Sequence, residues 1–350
     1  MRSNPPTEEA QLARWLWIVL GMVLIMVALG GVTRLTGSGL SIVEWNVLVG
    51  TLPPLTAADW ADLYAKYQAS PEFNKINFGM SLEEFKGIFW LEYLHRLWGR
   101  AMGVVMLVPL WLSWRSPNLR RHVPKMIGVL ALGGLQGAAG WFMVKSGLVD
   151  TPHVSPYRLM LHLLLALVIV ATLSHMALSL GRNNTKQAGM PRTPLMAATL
   201  VLATITIAYG AMVAGFKAGL MYNTFPLMGN DWIPAEVLHY EPLWRNMFEN
   251  PATLQLIHRW LAMTTVALSL IWAVTTLKSA PWWGYAVMGM ALLQMTLGIL
   301  TLIYGVPTAL AASHQMGAFI LWLLLWAVYV RAKPQERIPT ALGLQPAAQH

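Results

Sequence analysis

Eight long apolar runs constrain the fold of this chain more than any other feature of its sequence. A bilayer core requires about 20 consecutive apolar residues per helix. Only helices and closed barrels satisfy the backbone in lipid, and a barrel strand would alternate apolar and polar residues. The runs are continuous, so they predict an all-α integral membrane protein with eight transmembrane helices. The expected helices span about residues 13–33, 91–113, 125–145, 158–180, 195–215, 253–277, 282–304 and 309–330.

Charge is scarce and unevenly distributed. Charged residues make up 11% of the chain, whereas a soluble domain carries about 25%. Lys and Arg cluster in alternate connections, and cytoplasmic loops are enriched in these residues. We therefore expect these connections and both termini in the cytoplasm, and the acidic loops at about 34–90 and 216–252 outside. The distribution of the basic residues, which give a net charge of +9, is explained by membrane orientation. No nucleic-acid partner is therefore predicted. The basic clusters are Arg115, Arg120, Arg121 and Lys125; Arg182, Lys186 and Arg192; Lys278; and Arg331, Lys333 and Arg337.

The chain has the pattern of an internal duplication. L-E-Y-L-H-R-L-W (91–98) aligns with L-Q-L-I-H-R-W-L (254–261), and G-G-L-Q-G-A-A-G-W (133–141) aligns with A-L-L-Q-M-T-L-G-I (291–299). The second alignment pairs Gln136 with Gln294. Parallel repeats in membrane proteins are related by an axis along the membrane normal. We therefore predict two pseudo-symmetric four-helix bundles, one in residues 1–182 and one in residues 183–350.

Four histidines lie near the outer ends of alternate apolar runs: His95, His162, His258 and His314. An ionisable side chain inside a bilayer is costly and is usually retained for function. One such histidine could be a satisfied core residue, but four at repeat-equivalent positions predict two bis-histidine sites. Zinc would need three or four converging ligands. Two histidines on opposite sides of a planar ligand suit six-coordinate haem iron.

Cysteine is absent from the chain. This absence excludes thiolate-ligated haem, thiolate-bound iron–sulfur clusters and covalently attached c-type haem. The remaining histidines lie in loops, at the terminus or deep on one helix without a repeat partner, and we expect no functional role for them. They are His122, His153, His175, His239 and His350.

Glu92 distinguishes the two predicted sites. It precedes His95 by three residues, so both side chains share one helix face, and Gln255 occupies its position in the second half. One interpretation is an interfacial carboxylate favoured by the helix dipole. The other is that the first site carries out chemistry and the second holds a haem.

Four basic residues near the outer helix ends are candidate partners for haem propionates, because arginine pairs well with carboxylates. Interfacial snorkelling explains each one equally well. They are Arg34, Arg96, Lys217 and Arg259.

Several motifs together resemble the haem A synthase family, in the form shared by proteobacteria and mitochondria and without loop cysteines. They are G-G-V-T-R-L-T-G-S-G-L-S-I-V-E-W (30–45), L-E-Y-L-H-R-L-W-G-R (91–100), L-Q-G-A-A-G-W-F-M-V-K-S-G-L (135–148), N-T-F-P-L-M-G (223–229) and Q-L-I-H-R-W-L-A (255–262). The similarity covers nearly the whole chain. The family fold has eight transmembrane helices in two similar halves.

The resemblance implies an oxidoreductase that converts haem O to haem A for terminal cytochrome oxidase. It implies that the C8 methyl group becomes a formyl group through successive hydroxylation. His95 and His162 would hold the substrate haem O, and His258 and His314 a haem b cofactor. Glu92 matches the family's functionally important acid. The resemblance also implies a bacterial cell inner membrane location and an external electron-transfer partner. Haem O synthase, cytochrome oxidase assembly factors, membrane lipid and a second copy of the chain are further candidate partners.

Two alternatives stay open at the level of the sequence. A diheme b-type electron-transfer protein would keep both haems without needing the acid at position 92. A transporter built on parallel repeats would place its site at the bilayer midplane, deeper than these histidines. The outer segments W-A-D-L-Y-A-K-Y and S-L-E-E-F-K-G-I-F-W have helical apolar spacing. They predict short amphipathic helices that cover the substrate haem, although a merely connecting loop is also compatible.

Overall fold

The structure is a computed structural model, and it describes residues 7–46, 49–149, 152–180 and 191–334. Within these ranges, eight helices are long and apolar enough to cross a membrane, which confirms the predicted fold class. Short helices occupy the loops between some of them. The helices are α1 (Glu8–Leu35), α2 (Ala57–Gln68), α3 (Pro71–Lys75), α4 (Leu82–Arg115), α5 (Val123–Lys145), α6 (Pro156–Leu180), α7 (Pro194–Gly215), α8 (Asn246–Glu249), α9 (Pro251–Leu277), α10 (Pro281–Ile303) and α11 (Thr308–Arg331).

The largest departure from the predicted boundaries is at the start of α4. This helix begins at Leu82, whereas the apolar run begins near residue 91. Ser81 accepts a hydrogen bond from the Glu84 amide at 3.3 Å, and the Glu84 carboxylate accepts one from the Ser81 amide at 2.8 Å. This capping box stabilises the polar first turn. The predicted amphipathic helix at 81–90 is therefore the beginning of the transmembrane helix, whereas the helix predicted around residues 60–67 exists separately as α2.

The long helices pack in two groups with the same order of contacts. In the first group, α1 contacts α4 and α6, and α5 also contacts both of these helices. In the second group, α7 contacts α9 and α11, and α10 also contacts both. The groups meet where α1 and α6 pack against α11 and where α6 packs against α7. Two short strands, Pro191–Arg192 and Lys333–Pro334, pair in parallel at the basic end.

The interior and the periphery of the bundle are both apolar. Leu16, Leu173 and Leu325 are fully buried in one continuous core, whereas Val104 and Trp114 are about two-thirds exposed, at 66% and 67%. Such large apolar side chains are stable at a periphery that faces lipid. The chain is therefore a multi-pass membrane protein.

An aromatic cap covers the end of the first group that carries His95. The cap consists of Tyr67, Phe73, Phe85, Phe89 and Tyr93, contributed by α2, α3 and the first turns of α4. The rings of Tyr67 and Phe85 stack with centroids 5.0 Å apart. Aromatic pairs at this separation add to the stabilisation from buried area, so the cap ties the outer segment to α4.

Candidate functional site

The four predicted histidines lie on α4, α6, α9 and α11, and their side chains are partly exposed. His95 and His162 are close enough for a charge on one to act on the other. The same holds for His258 and His314. The four side chains thus fall into two pairs, one in each helix group.

Hydrogen bonds fix the orientation of the rings in the second group. The backbone carbonyl of Thr206 lies 3.1 Å from Nδ1 of His258. A carbonyl can only accept, so Nδ1 carries the proton and Nε2 keeps a free lone pair. Backbone acceptors of this kind commonly orient histidines that bind metals. His314 has its Nδ1 atom 3.1 Å from the side-chain amide of Gln294, which also donates to the His314 carbonyl at 3.0 Å.

Gln136 contacts His162 in the first group, but at Nε2 of the ring rather than at Nδ1. Its amide lies 3.2 Å from Nε2 of His162 and donates to the His162 carbonyl at 3.1 Å. The sequence alignment paired Gln136 with Gln294 but assigned neither of them a role. Their shared spacing within the repeat was the signal that connected them to a histidine site.

The donor atoms in each pair suit haem. Nδ1 of His95 and Nδ1 of His162 are buried without a hydrogen-bond partner among the described residues, and buried polar atoms in native proteins normally have one. Two nitrogen donors from separate helices, in apolar surroundings and without thiolates, are the axial ligand set of six-coordinate haem. Among the described residues there is no cluster of three or more histidine and carboxylate side chains that could hold a metal ion.

Glu92 fastens an outer loop segment to α4. Its side chain is 3% exposed, and Oε2 accepts hydrogen bonds from the Ser41 hydroxyl at 2.8 Å and the Ile42 amide at 2.9 Å. Oε1 accepts from Arg96 at 3.0 and 2.6 Å. Arg96 also donates to the carbonyls of Ile42 and Glu44. Both carboxylate oxygens are therefore engaged, and sequence reasoning missed the partners in residues 41–44.

Gln255 and Arg259 fasten the equivalent loop segment in the second group. The Gln255 amide donates to the Tyr222 carbonyl at 3.0 Å. Arg259 donates to the carbonyls of Tyr222, Thr224 and Leu227 at 2.9, 2.8 and 3.0 Å. This guanidinium group is buried, at 8% exposure, and no carboxylate pairs with it among the described residues. The second site therefore keeps a positive charge that the first site neutralises.

The four predicted propionate partners lie at the same end of the bundle. Arg96 divides its hydrogen bonds equally between the Glu92 carboxylate and loop carbonyls. Arg259 donates to loop carbonyls, although its Nε has no partner among the described residues. Arg34 donates to the carbonyl of Ala214 across the contact between the helix groups. Lys217 is exposed and has a left-handed backbone, with φ +54°. The side chains of Arg96 and Arg259 thus stabilise the outer loop segments through hydrogen bonds to backbone carbonyls.

The histidines without a predicted role lie away from the two pairs. His153, His175 and His239 are exposed, and His122 is partly exposed. His122 and His175 line a shallow cavity at the opposite, basic end of the bundle, together with Glu9 and Arg121. His350 lies outside the described residues.

Eight helices that are long and apolar enough to cross a membrane define a polytopic membrane protein, and the two histidine pairs lie on these helices. Comparison with known proteins identifies the family. A family model described as cytochrome oxidase assembly protein (COX15-CtaA) matches residues 13–326.

Three relatives show how far the similarity extends. The chain is 47% identical to a heme A synthase of Nitrosospira multiformis over 331 residues. This alignment covers 91% of this chain and 92% of that protein. The chain is 46% identical to a heme A synthase of Paramagnetospirillum magneticum, with 91% and 92% covered. It is 42% identical to a heme A synthase of Wolbachia pipientis, with 95% and 96% covered. The chain belongs to the heme A synthase family.

Proposed function

We propose that this protein is an oxidoreductase that converts haem O to haem A by oxidising the C8 methyl group to a formyl group. Two intramembrane histidine pairs carry the proposal, because each pair supplies the axial nitrogens that a haem requires. Family membership over nearly the whole chain supports the same reaction. The product would serve terminal cytochrome oxidase, and the family model's description is consistent with that destination.

Each half of the chain would bind one haem. Residues 1–182 would bind haem O through His95 and His162, and residues 183–350 would bind haem b through His258 and His314. The boundary lies outside the described residues, so the proposal rests on the helices on either side. The carboxylate in the first half and the amide in the second support this assignment, because oxidation of a methyl group needs a proton acceptor or charge stabiliser and electron delivery does not.

The haem groups supply the redox chemistry, and the protein supplies binding, orientation and electrostatics. Among the protein groups, the histidines would hold each haem. Glu92 lies one helical turn from His95 on the same face, where its carboxylate would stabilise positive charge near the substrate or accept a proton. Four hydrogen bonds hold this carboxylate in place before reaction, and such preorganisation favours charge stabilisation.

Chromatography of extracted haems tests the proposed reaction. The protein is expressed in a host that makes haem O but not haem A, and the haems in purified membranes are separated and quantified. We expect haem A to form only when the protein is present. A protein that carries haem b alone, with haem O unchanged, would instead be the diheme b-type electron-transfer protein.

The orientation in the bacterial cell inner membrane is part of the proposal. Lys and Arg at the end opposite the histidines support cytoplasmic termini. Because the chain has no cysteine, single cysteines report topology directly. Cysteine at Ala235 should react with a membrane-impermeant thiol reagent in intact spheroplasts, and cysteine at Asn118 only after lysis. Both positions are exposed, so the reverse pattern would contradict the orientation.

Several partners remain to be identified by experiment. An external electron-transfer partner must accept or supply electrons, because methyl oxidation to an aldehyde changes the substrate by four electrons. Haem O synthase and cytochrome oxidase assembly factors would hand over the substrate and receive the product. Membrane lipid surrounds the helices, and a homo-oligomer is compatible with the exposed apolar surface.

A further inference from the structure

Each histidine of the first pair lies against a glycine on the neighbouring helix. A methyl group built on Gly30 of α1 would lie 3.0 Å from Cε1 of His95. One built on Gly140 of α5 would lie 3.1 Å from Cε1 of His162. Carbon atoms in favourable contact are about 3.5–4.0 Å apart. Neither position admits a side chain unless the ring moves.

The second pair repeats the arrangement. A methyl group on Gly210 of α7 would lie 3.0 Å from Cε1 of His258, and one on Gly298 of α10 would lie 2.8 Å from Cε1 of His314. The alignment of the two halves already paired Gly140 with Gly298, four residues after the aligned glutamines. Each of the four glycines lies five residues before the last residue of its helix. All four contacts therefore occur at one depth.

The same edge of the ring faces the glycine in all four contacts. In each contact Cε1 is nearest to the glycine, Nδ1 is next and Nε2 is the farthest of these three atoms. For His95 the distances are 3.0, 3.6 and 3.8 Å, and for His314 they are 2.8, 3.3 and 3.5 Å. Each glycine thus faces the Cε1 edge of its ring, and a side chain at that position would meet this edge first.

Ordinary helix packing does not account for these glycines. Small residues in membrane helices allow two backbones to approach, and Gly215 and Gly284 behave in this way. A methyl group on Gly215 would lie 2.7 Å from Cα of Pro156, and one on Gly284 would lie 2.9 Å from the Ala273 carbonyl oxygen. At the four histidine contacts the three nearest atoms all belong to the imidazole ring.

We propose that Gly30, Gly140, Gly210 and Gly298 are positioning residues that set the rotation and depth of the four axial histidines. The proposal rests on the two haem sites of the proposed function. A glycine leaves room for the Cε1 edge of the ring, and the ring is thereby held at one angle and depth. A side chain at the same position would displace the ring edge, because overpacking forces side chains away from their preferred rotamers.

The haem b site gives the sharpest test, because its readout is independent of enzyme activity. Gly298→Ala is compared with Gly289→Ala, a control on the same helix where nothing lies within 4 Å of an added methyl group. Haem b is quantified per purified protein, and electron paramagnetic resonance distinguishes low-spin bis-histidine haem from high-spin haem. We expect Gly298→Ala to lower haem b retention about tenfold and to convert the remainder to high-spin haem. Gly289→Ala should match the unmodified protein.

The first site is tested in the same way with haem O. Gly140→Ala is compared with Gly137→Ala on the same helix, where an added methyl group also meets nothing within 4 Å. Gly140→Ala should lower haem O retention and leave the low-spin haem b signal unchanged. Each glycine is expected to affect only the haem of its own pair, which separates positioning from general misfolding.

The outcomes separate failure of this proposal from failure of the proposed function. If the unmodified protein retains no haem b, the proposed function is wrong. If it retains haem b but Gly298→Ala has the same haem content and spin state as Gly289→Ala, the positioning role is wrong. Equal loss of both haems in the Gly140→Ala and Gly298→Ala variants would also overturn it, since displacement of one ring cannot disturb the other site.

Discussion

The two histidine sites have the same design but differ in the charge beside them. In the first, Glu92 and Arg96 hold the segment around Ile42, and their charges cancel. In the second, Gln255 and Arg259 hold the equivalent segment at Tyr222, and the arginine charge remains. Loop anchoring therefore does not require a carboxylate, because Gln255 helps to anchor without one. Anchoring alone therefore does not explain the acid in the first half, which is why we propose a role for Glu92 in the reaction.

The outer segments differ in the same way. The first half buries two carboxylates, Glu72 and Glu92, at 4% and 3% exposure. The second half buries the amides of Asn246 and Asn250 in its outer loop, where Asn250 donates to Asn246 at 2.9 Å and caps α9. Buried amides are neutral at every physiological pH, whereas burial raises the pKa of Glu72. We therefore expect the buried part of the outer surface to respond to pH at Glu72 and not at Asn246 or Asn250.

Removing a histidine should have the largest effect, and it tests directly whether the two histidine sites bind haem independently. His258→Ala or His314→Ala should deplete haem b, because one axial nitrogen is lost. His95→Ala or His162→Ala should abolish conversion of haem O and leave the haem b spectrum intact. Absorption spectra and haem chromatography on each purified variant measure both results. Loss of both haems in every variant would contradict two separable sites.

Exchange of the acid and the amide should have the next largest effect. Glu92→Gln should retain haem O but reduce haem A formation about 10²–10⁴-fold, the usual contribution of a general acid–base group. Both oxygens of the Glu92 carboxylate accept hydrogen bonds. Glutamine replaces one of these oxygens with an NH₂ group, which cannot accept, so at least one donor around position 92 loses its partner. Chromatography should reveal accumulated haem O or its hydroxylated form.

Ser41→Ala is the matched control for this loss of anchoring. It removes one donor to the Glu92 carboxylate and keeps the charge, so we expect most of the haem A formation to remain. The reverse exchange, Gln255→Glu, should preserve haem b and produce no second converting site. If Ser41→Ala and Glu92→Gln reduce haem A equally, Glu92 is an anchor rather than a catalytic residue.

Much of this organisation could be predicted from sequence, because it follows from strong local signals. Apolar runs predict most ends of the transmembrane helices within a few residues, and the repeated segment L-[EQ]-x-x-H-R at 91–96 and 254–259 shows that His95 and His258 occupy equivalent positions. The start of α4 was missed because Glu83, Glu84 and Lys86 interrupt the apolar pattern while a capping box keeps the helix intact. Contacts between distant segments were also missed, such as Ser41 with Glu92 and Thr206 with His258, because single sequences carry no signal for side chains that meet through tertiary packing.

The smallest expected effect concerns pH and the aromatic cap. Burial raises the pKa of Glu72 from 4.5 to about 7, with the Glu92 charge adding to the shift and a hydrogen bond from Tyr67 opposing it. A carboxyl group whose pKa is raised in the folded state stabilises that state while it is protonated. This contribution is complete below pH 4.5 and is lost as the pH rises through about 7. The cap should therefore open more readily at pH 8 than at pH 5.5.

Hydrogen exchange of residues 57–90, corrected for the intrinsic effect of pH, measures this opening. Protection should decrease between pH 5.5 and pH 8 in the unmodified protein, and Glu72→Gln should remove the dependence because its side chain stays neutral. The backbone amides next to Asn246 and Asn250 serve as an internal comparison, since these two buried side chains do not titrate, and the Glu72→Gln variant controls for exposed ionisable groups in both loops. An equal decrease in both outer segments would show that pH acts through something other than Glu72. A decrease in protection that is confined to residues 57–90 and absent in Glu72→Gln would show that the buried Glu72 carboxyl group makes the first outer segment respond to pH differently from the second.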